Sequence, residues 1–417
     1  DKLENEMNEL GQKKLLEEIE LPLAKVLAKM ELDGFLVDTK GISEYGQSLA
    51  LRISEIQATV WQEVGYEFNL NSPKQLGEAL FERLGLPAKK KTKSGYSTGA
   101  EVLEGLKYAH PAVEHLLEYR QLTKLKSTYC DGLLNAVGSD GRIRSTLNQT
   151  ETRTGRISST EPNLQNIPVR KPEGRQLRGF FKAADGFMLC DADYSQIELR
   201  VLAHIADDKT MIGAFNAGTD IHAMTAGEVF DMPQELVTPL MRSRAKAVNF
   251  GIVYGIGAFS LAKDIGVTNA EAATYIKGYL NTYKGVRDYM TRVVEQAKED
   301  GFVTTMWGRR RLLPEIKNSN GMLRAFGERV ARNMPIQGAA ADIIKIAMIK
   351  VSNRLEKELP EARLIMQVHD ELIVEAPEDK TALASIIIKE EMESAANLKV
   401  PMLADVHCGK TWLQAKE

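Results

Sequence analysis

Apolar positions recur every three or four residues along most of this chain and alternate in only a few short stretches. Leu15, Leu16, Ile19, Leu23, Val26, Leu27 and Met30 predict a helix over residues 1–31, broken by Asp33-Gly34. Asn71-Ser72-Pro73 is a capping residue followed by proline at the first helical position, so a helix is expected from there to about Leu84, with Gly85 as its stop. Lys89-Lys90-Lys91-Thr92-Lys93-Ser94-Gly95 is polar and turn-prone, and Thr98-Gly99-Ala100-Glu101 has capping-box spacing. Two further helices are expected, separated near His110-Pro111, the second from about Ala112 to Leu134. Residues 36–140 thus read as a helical unit with a basic loop at its tip. From 141 to 192 glycine, proline, serine and threonine are frequent, and Phe187-Met188-Leu189-Cys190 is β-prone. Helical patterning returns from Ser195 to about Glu356, broken near Asp220, Asn269, Gly301 and Pro314. Arg363 to Val368 and Leu372 to Val374 read as strands around a tight turn, His369-Asp370-Glu371. There is no internal repeat of 20–50 residues. A sheet interrupted by a large helical insertion is an α+β layout.

With 417 residues, two to four domains are expected. No run reaches the roughly 18–20 apolar residues of a membrane span, so no membrane partner is expected. The three cysteines, Cys130, Cys190 and Cys408, are far apart, which excludes a disulfide framework and a Cys-x-x-Cys metal site and fits a reducing compartment. The first residue is Asp1 and no signal peptide follows, so the chain is expected to begin inside a longer gene product or after processing. A net charge of −3 argues weakly against nucleic acid, but the charge is uneven. Residues 1–36 carry −4 and 355–417 carry −6, leaving +7 between them, and 141–182 alone carries +6. A groove can therefore be basic on a molecule that is acidic overall.

Four segments carry candidate chemistry. In Asp191-Ala192-Asp193-Tyr194-Ser195-Gln196-Ile197-Glu198 an apolar strand ends in acids and a helix begins at once. Asp193 is either a cleft carboxylate or a helix cap. In His369-Asp370-Glu371 the acids either serve turn conformation or face a hard divalent cation. Carboxylates held on neighbouring strands repel, and magnesium is the usual compensation. Two such ions about 4 Å apart can clamp both oxygens of a phosphoryl transfer. Arg242, Lys246, Phe250 and Tyr254 are spaced by four and share a helix stripe, suited to a triphosphate followed by sugar and base, or to a solvated basic stripe beside an aromatic pair. The glycines Gly251, Gly255 and Gly257 lack the Lys-Ser/Thr of a P-loop. Residues 152–170 are dense in cations, hydroxyls and amides, the groups that contact phosphates and minor-groove acceptors, or else a polar surface loop.

These segments come in a set order and spacing, together with Asp220-Ile221-His222, Gly308-Arg309-Arg310-Arg311, Arg329 to Gln337 followed by Gly338, and Gln367-Val368-His369-Asp370-Glu371. As a set they resemble family A DNA polymerases over nearly the whole chain. The resemblance implies a right-hand fold: an N-terminal helix packing on the palm (1–35), thumb (36–140), palm (141–221 and 331–417) and fingers (222–330). It implies that Asp193 and Asp370, with the Tyr194 carbonyl, hold two Mg²⁺ ions, with Mn²⁺ able to substitute, and that Glu371 is a supporting acid. Arg242, Lys246 and His222 would grip the triphosphate, with Lys246 a candidate to protonate departing pyrophosphate. Phe250, Tyr254 and Gln196 would lie by the incoming nucleotide, Phe250 discriminating against dideoxynucleotides, and Glu198 would crowd the ribose 2′ position. Arg156, Arg170, Arg329, Asn333, Gln337 and His369 would contact primer–template DNA. The implied reaction is attack of a primer 3′-oxygen on the α-phosphorus of a dNTP with release of pyrophosphate, by a cytoplasmic, bacterial-type monomer.

Three positions depart from the family pattern. Asp191 stands where a small neutral residue is expected, on the same strand face as Asp193. Ser243 and Arg244 shift a cation of the fingers helix by about 100°. Leu312 replaces a common aromatic. A single-subunit RNA polymerase is disfavoured by Glu198, and a catalytically dead DNA-binding scaffold by the presence of both Asp193 and Asp370. Only about 35 residues precede the thumb, so no exonuclease domain is expected within this sequence.

Overall fold

The computed structural model describes residues 2–88, 91–92, 95–169, 171–230 and 232–416. The N-terminal helical pattern is realised in pieces. Helix α1 (Lys2–Glu9) ends at a turn where Gly11 takes φ +66°, and a π-helical turn (Leu16–Glu20) leads into α2 (Leu21–Asp33). Gly34 stops α2 with φ +63°, as its position after Asp33 predicts.

Helices α3 (Thr39–Val64) and α4 (Pro111–Lys124) form the frame of the first helical unit. The Ser72 hydroxyl accepts from the Gln75 N–H, with Pro73 next, as expected. The capping box expected at Thr98 does not form. Gly99 is the cap of a five-residue helix, and Thr98 instead accepts from the buried end of Arg120. Lys89, Lys90, Lys93 and Ser94 of the basic tip lie outside the described residues, while Lys91–Thr92 pairs with Gly95–Tyr96.

The functional centre is a four-stranded antiparallel sheet. Its strands are β1 (Phe187–Tyr194), β2 (Arg363–Val368), β3 (Glu371–Pro377) and β4 (Ala404–Gly409), in the spatial order β2-β3-β1-β4. Between β1 and β2 the chain makes a helical excursion: α5 (Ile197–Ala206), α6 (Ile221–Phe230), α7 (Pro239–Val253), α8 (Asn269–Thr282), α9 (Lys284–Asp300), the hairpin Phe302–Thr304/Arg310–Leu312, and α10 (Gly321–Glu358). Helix α11 (Thr381–Glu393) connects β3 to β4 and packs on β1 and β4.

Alternation along β1 assigns its two faces. Cys190, Ala192 and Tyr194 join the large core shared with α5, α10 and α11, whereas Leu189 joins a second core built from the first helical unit, Val368, Ile373 and Trp412. Asp191 and Asp193 therefore project on the side of that second core. Gly338 on α10 lies where a Cβ would come within 2.7 Å of Thr305 Cγ2 and 3.2 Å of the Thr154 carbonyl, so a side chain there would push away the loop that carries Arg156. Among the described residues no helix is long and apolar enough to cross a membrane.

Candidate active site

Register brings the acids together. Asp193, the penultimate residue of β1, pairs with Glu371 at the start of β3. The Tyr194 N–H donates to the Asp370 carbonyl at 3.1 Å, so Asp193 and Asp370 sit at adjacent strand ends although they are far apart in sequence. The turn contains only His369 and Asp370, with Val368 opposite Glu371. Glu371 thus belongs to the strand, not to the turn expected from sequence. His369 takes φ +51°, an uncommon conformation for a residue with a Cβ, and such local cost is found where surrounding structure fixes a functional turn. Gln367 helps to hold it, donating to the His369 carbonyl at 2.7 Å. The Tyr194 hydroxyl donates to the Met392 carbonyl, anchoring the end of β1 to α11.

Burial and mutual repulsion push the Asp370 carboxyl up to about 7, burial contributing most and Glu198 next. Asp191 is also driven to about 7, by burial and then by Glu371. Its side chain is 1% exposed, neither oxygen is hydrogen-bonded, and the Lys416 ammonium lies 3.7 Å away. That ammonium also lies 2.9 Å from Asp193 Oδ2 and donates to Glu371 Oε2. Glu371 Oε1 accepts from the Trp412 indole at 3.2 Å, with an Arg178 nitrogen 3.5 Å away, and the Arg178 guanidinium stacks 4.0 Å from the Trp412 ring. Glu371 is therefore fully engaged with the C-terminal turn and Arg178.

Glu198 joins the sheet to the helical insertion. Gln196, in the left-handed conformation at φ +56°, starts α5 and turns Glu198 inward. Glu198 is buried. Its Oε1 accepts from Arg156 at 2.6 Å and from the Tyr254 hydroxyl at 3.4 Å, while Oε2 is buried without a partner. Arg156, Gln165, His369 and Asp370 line one small cavity.

Along α7, Arg242 donates to Asp220 Oδ2 at 2.7 Å, and the exposed Lys246 lies 6.0 Å from the Phe250 ring centre. The Phe250 ring is 5.9 Å from that of His222. His222 is buried, and desolvation drives its pKa down to about 4. Its Nδ1 meets the Asn249 amide at 3.0 Å, which leaves Nε2 to carry the proton. Tyr254, just past α7, is 46% exposed. Arg329, Asn333 and Gln337 share one face of α10, and Asn333 donates to the Val253 carbonyl at 3.1 Å, tying that helix to the end of α7. Arg170 lies outside the described residues. Of the departures, Arg244 has a buried Nε without a partner, and Leu312 is exposed.

Sequence reasoning did not find Arg178, Trp412 and Lys416. They meet Glu371 from distant segments, and no local pattern in the sequence marked them. It also missed the role of Arg309, which is structural: it pairs with Asp342 at 2.7 Å and with Glu20, while Lys345 reaches Glu20 at 2.8 Å.

Among the described residues no cluster of three or more His, Cys, Asp or Glu side chains could hold a metal ion. A cation at Asp193 and Asp370 would therefore draw on two carboxylates, a backbone carbonyl, water and phosphate oxygens, the ligand set magnesium commonly takes. The partly exposed Asp193 carboxylate and the destabilised charge on Asp370 fit that demand.

The chain matches the family model described as DNA polymerase family A over residues 39–414. It is 50% identical over 416 residues to DNA polymerase I of Geobacillus stearothermophilus, covering 99% of this chain and 48% of that protein. Against DNA polymerase I of Bacillus subtilis (strain 168) it is 47% identical over 418 residues, covering all of this chain and 48% of that protein. The chain thus spans about half the length of these curated relatives. The solved POL domain of Pol1 from M. smegmatis, in complex with DNA primer-template and dNTP, is similar to this structure with a TM-score of 0.94 at 43% identity, covering 100% of this chain and 74% of that one.

Proposed function

Because the chain belongs to DNA polymerase family A, we propose that it is a template-directed DNA polymerase, adding dNTPs to a primer 3′ end and releasing pyrophosphate. One observation carries this reading: Asp193 and Asp370 meet at adjacent strand ends, and Glu198, whose charge acts on Asp370, accepts from the Tyr254 hydroxyl just past the cation-and-aromatic helix α7.

The thumb is residues 36–140, the palm 141–221 and 331–417 with the N-terminal helices packed on it, and the fingers 222–330. Asp193, Asp370 and the Tyr194 carbonyl would hold two Mg²⁺ ions. When bound, magnesium supplies Lewis acidity that lowers the pKa of the primer 3′-hydroxyl and neutralises charge gathering on the phosphates. Glu371 does not add a ligand; it fixes β3 against Trp412, Arg178 and Lys416. Arg242, Lys246 and neutral His222, offering its Nε2–H, bind the triphosphate, and Lys246 gives a proton to the leaving pyrophosphate. Arg242 must exchange Asp220 for phosphate, a swap between two anions that leaves its charge paired. Phe250, Tyr254 and Gln196 bound the nucleotide pocket. Arg156, Arg170, Arg329, Asn333, Gln337 and His369 contact primer–template DNA. The protein acts as a monomer in the cytoplasm.

Glu198 excludes the ribose 2′-hydroxyl: it is buried, fixed by Arg156 and Tyr254, and cannot swing away cheaply. Primer extension on a DNA template with Mg²⁺ tests both levels of this reading. Extension with dNTPs and little with rNTPs is expected, and Glu198→Ala should raise relative ribonucleotide use roughly 10- to 100-fold. No extension of primed DNA defeats the polymerase reading. Extension with an unchanged sugar preference in Glu198→Ala defeats only the role of Glu198.

A further inference from the structure

Behind the acid-bearing strand, Cys190 on β1 stands directly opposite Cys408 on β4 in the antiparallel register. Residues paired in this way have Cα atoms about 4.5–5.5 Å apart, inside the range of about 4.4–6.8 Å that a disulfide requires. The side chains already converge, with sulfurs 2.9 Å apart as free thiols. The pair is asymmetric. Cys190 is fully buried, whereas Cys408, on the sheet edge, is exposed. Ser385 of α11 points its hydroxyl at both, 3.3 Å from Cys408 Sγ and 3.9 Å from Cys190 Sγ. Cys130 belongs to the other core.

A metal site does not explain the pair. Among the described residues no third His, Cys, Asp or Glu side chain completes a metal-binding group. His407, the nearest candidate in sequence, projects from the opposite face of β4.

We propose that Cys190 and Cys408 form a reversible thiol–disulfide pair, oxidised by a hydroperoxide that reacts first at the exposed Cys408 sulfur. In the first step the Cys408 thiolate attacks one peroxide oxygen. The O–O bond breaks, the leaving oxygen takes a proton and departs as water or alcohol, and Cys408 becomes a sulfenic acid. In the second step the Cys190 sulfur attacks the Cys408 sulfur, the S–O bond breaks, and the Cys190 proton leaves with the hydroxyl as water. Two thiols are oxidised by two electrons and one peroxide is reduced. Exposure makes the Cys408 sulfur the one a peroxide can reach, and the Ser385 hydroxyl 3.3 Å away can donate to its thiolate once the proton leaves. Burial pushes the Cys190 thiol up and keeps its proton on. The reactive thiolate is therefore the accessible one, and the resolving thiol is already in place. The bond would tie the edge strand β4 to β1 three residues before Asp193 without touching the acid face.

The test treats the folded chain with hydrogen peroxide near stoichiometry, then unfolds it in guanidinium chloride with N-ethylmaleimide so that every free thiol is blocked, and maps peptides without reduction. The expected result is loss of two of the three alkylatable thiols, with only Cys130 labelled. The Cys190 and Cys408 peptides should be joined with the loss of two hydrogens, and dithiothreitol should restore all three thiols. In Cys190→Ser the joined peptide should vanish and Cys408 should become trappable by dimedone. The proposal is overturned if both cysteines remain alkylatable, if Cys408 proceeds to sulfinic acid while Cys190 stays free, or if the only disulfide formed joins two chains.

Discussion

Glu20 and Asp342 on one side, and Asp193 and Asp370 on the other, are acid pairs with opposite charge accounts. The first pair is matched by Arg309 and Lys345, and Asp342 also accepts from the Thr305 hydroxyl at 2.6 Å. Although burial opposes it, Lys345 and Arg309 hold the Glu20 carboxyl below its usual range. This cluster binds the N-terminal helices to the hairpin and α10, and nothing in it calls for a ligand. At the second pair the carboxylates Asp191, Asp193, Glu198, Asp370 and Glu371 outnumber the cations Arg156, Arg178 and Lys416. The same residue types thus make a structural joint where charge is balanced, and leave demand for a bound cation where it is not.

The comparison breaks most sharply at Asp193 and Asp370. Asp193→Asn or Asp370→Asn should cut primer extension with Mg²⁺ by at least about 10³-fold. In thermal unfolding without divalent cations, Asp370→Asn should raise the midpoint, because it removes a repelled charge. A fall in that midpoint would mean the cluster is a joint after all.

Asp342→Ala should do the reverse. It leaves Arg309 short of a buried partner and should cost about 3–5 kcal/mol of stability, seen as a lower denaturation midpoint, while extension persists at temperatures where the variant is folded.

His222 offers a third case, a buried base kept neutral because desolvation outweighs the pull of Asp220, which is paired with Arg242. Its unfolded pKa is near 6.5 and its folded value about 4, so between these the unfolded chain binds the extra proton. Its stabilising contribution is present above pH 6.5 and is lost as pH falls toward 4, on the order of 3 kcal/mol. His222→Gln should flatten that part of the stability–pH curve measured by urea titration.

Lys416 is the last case. Lys416→Met should lower the denaturation midpoint, because the buried Asp191 and Glu371 lose a cation while Arg178 still faces Glu371. It should also tighten Mn²⁺ binding measured by calorimetry, because Asp193 Oδ2 is no longer shared with an ammonium.

Much of this was legible in the sequence. The helix starts at Ser72 and after Asp220, the stop at Gly34, the strand leading to Asp193 and the hairpin around Asp370 are local matters of capping, turn chemistry and periodicity. The family motifs marked the acids and the stripe of α7. Local rules failed where neighbours through space decided. The Thr98 hydroxyl accepts from Arg120 rather than capping a helix end. Glu371 joined a strand because β1 offered a partner for its backbone. Arg309, read with a motif, became the centre of an ion network.

Residue type and spacing therefore determined which groups could carry charge, cap a helix or end a strand. The tertiary structure alone decided which of those charges were neutralised. Pairing energy depends on distance and desolvation, and both are set by strands and helices that meet from opposite ends of the chain, as Lys416 meets Asp193 and Cys408 meets Cys190.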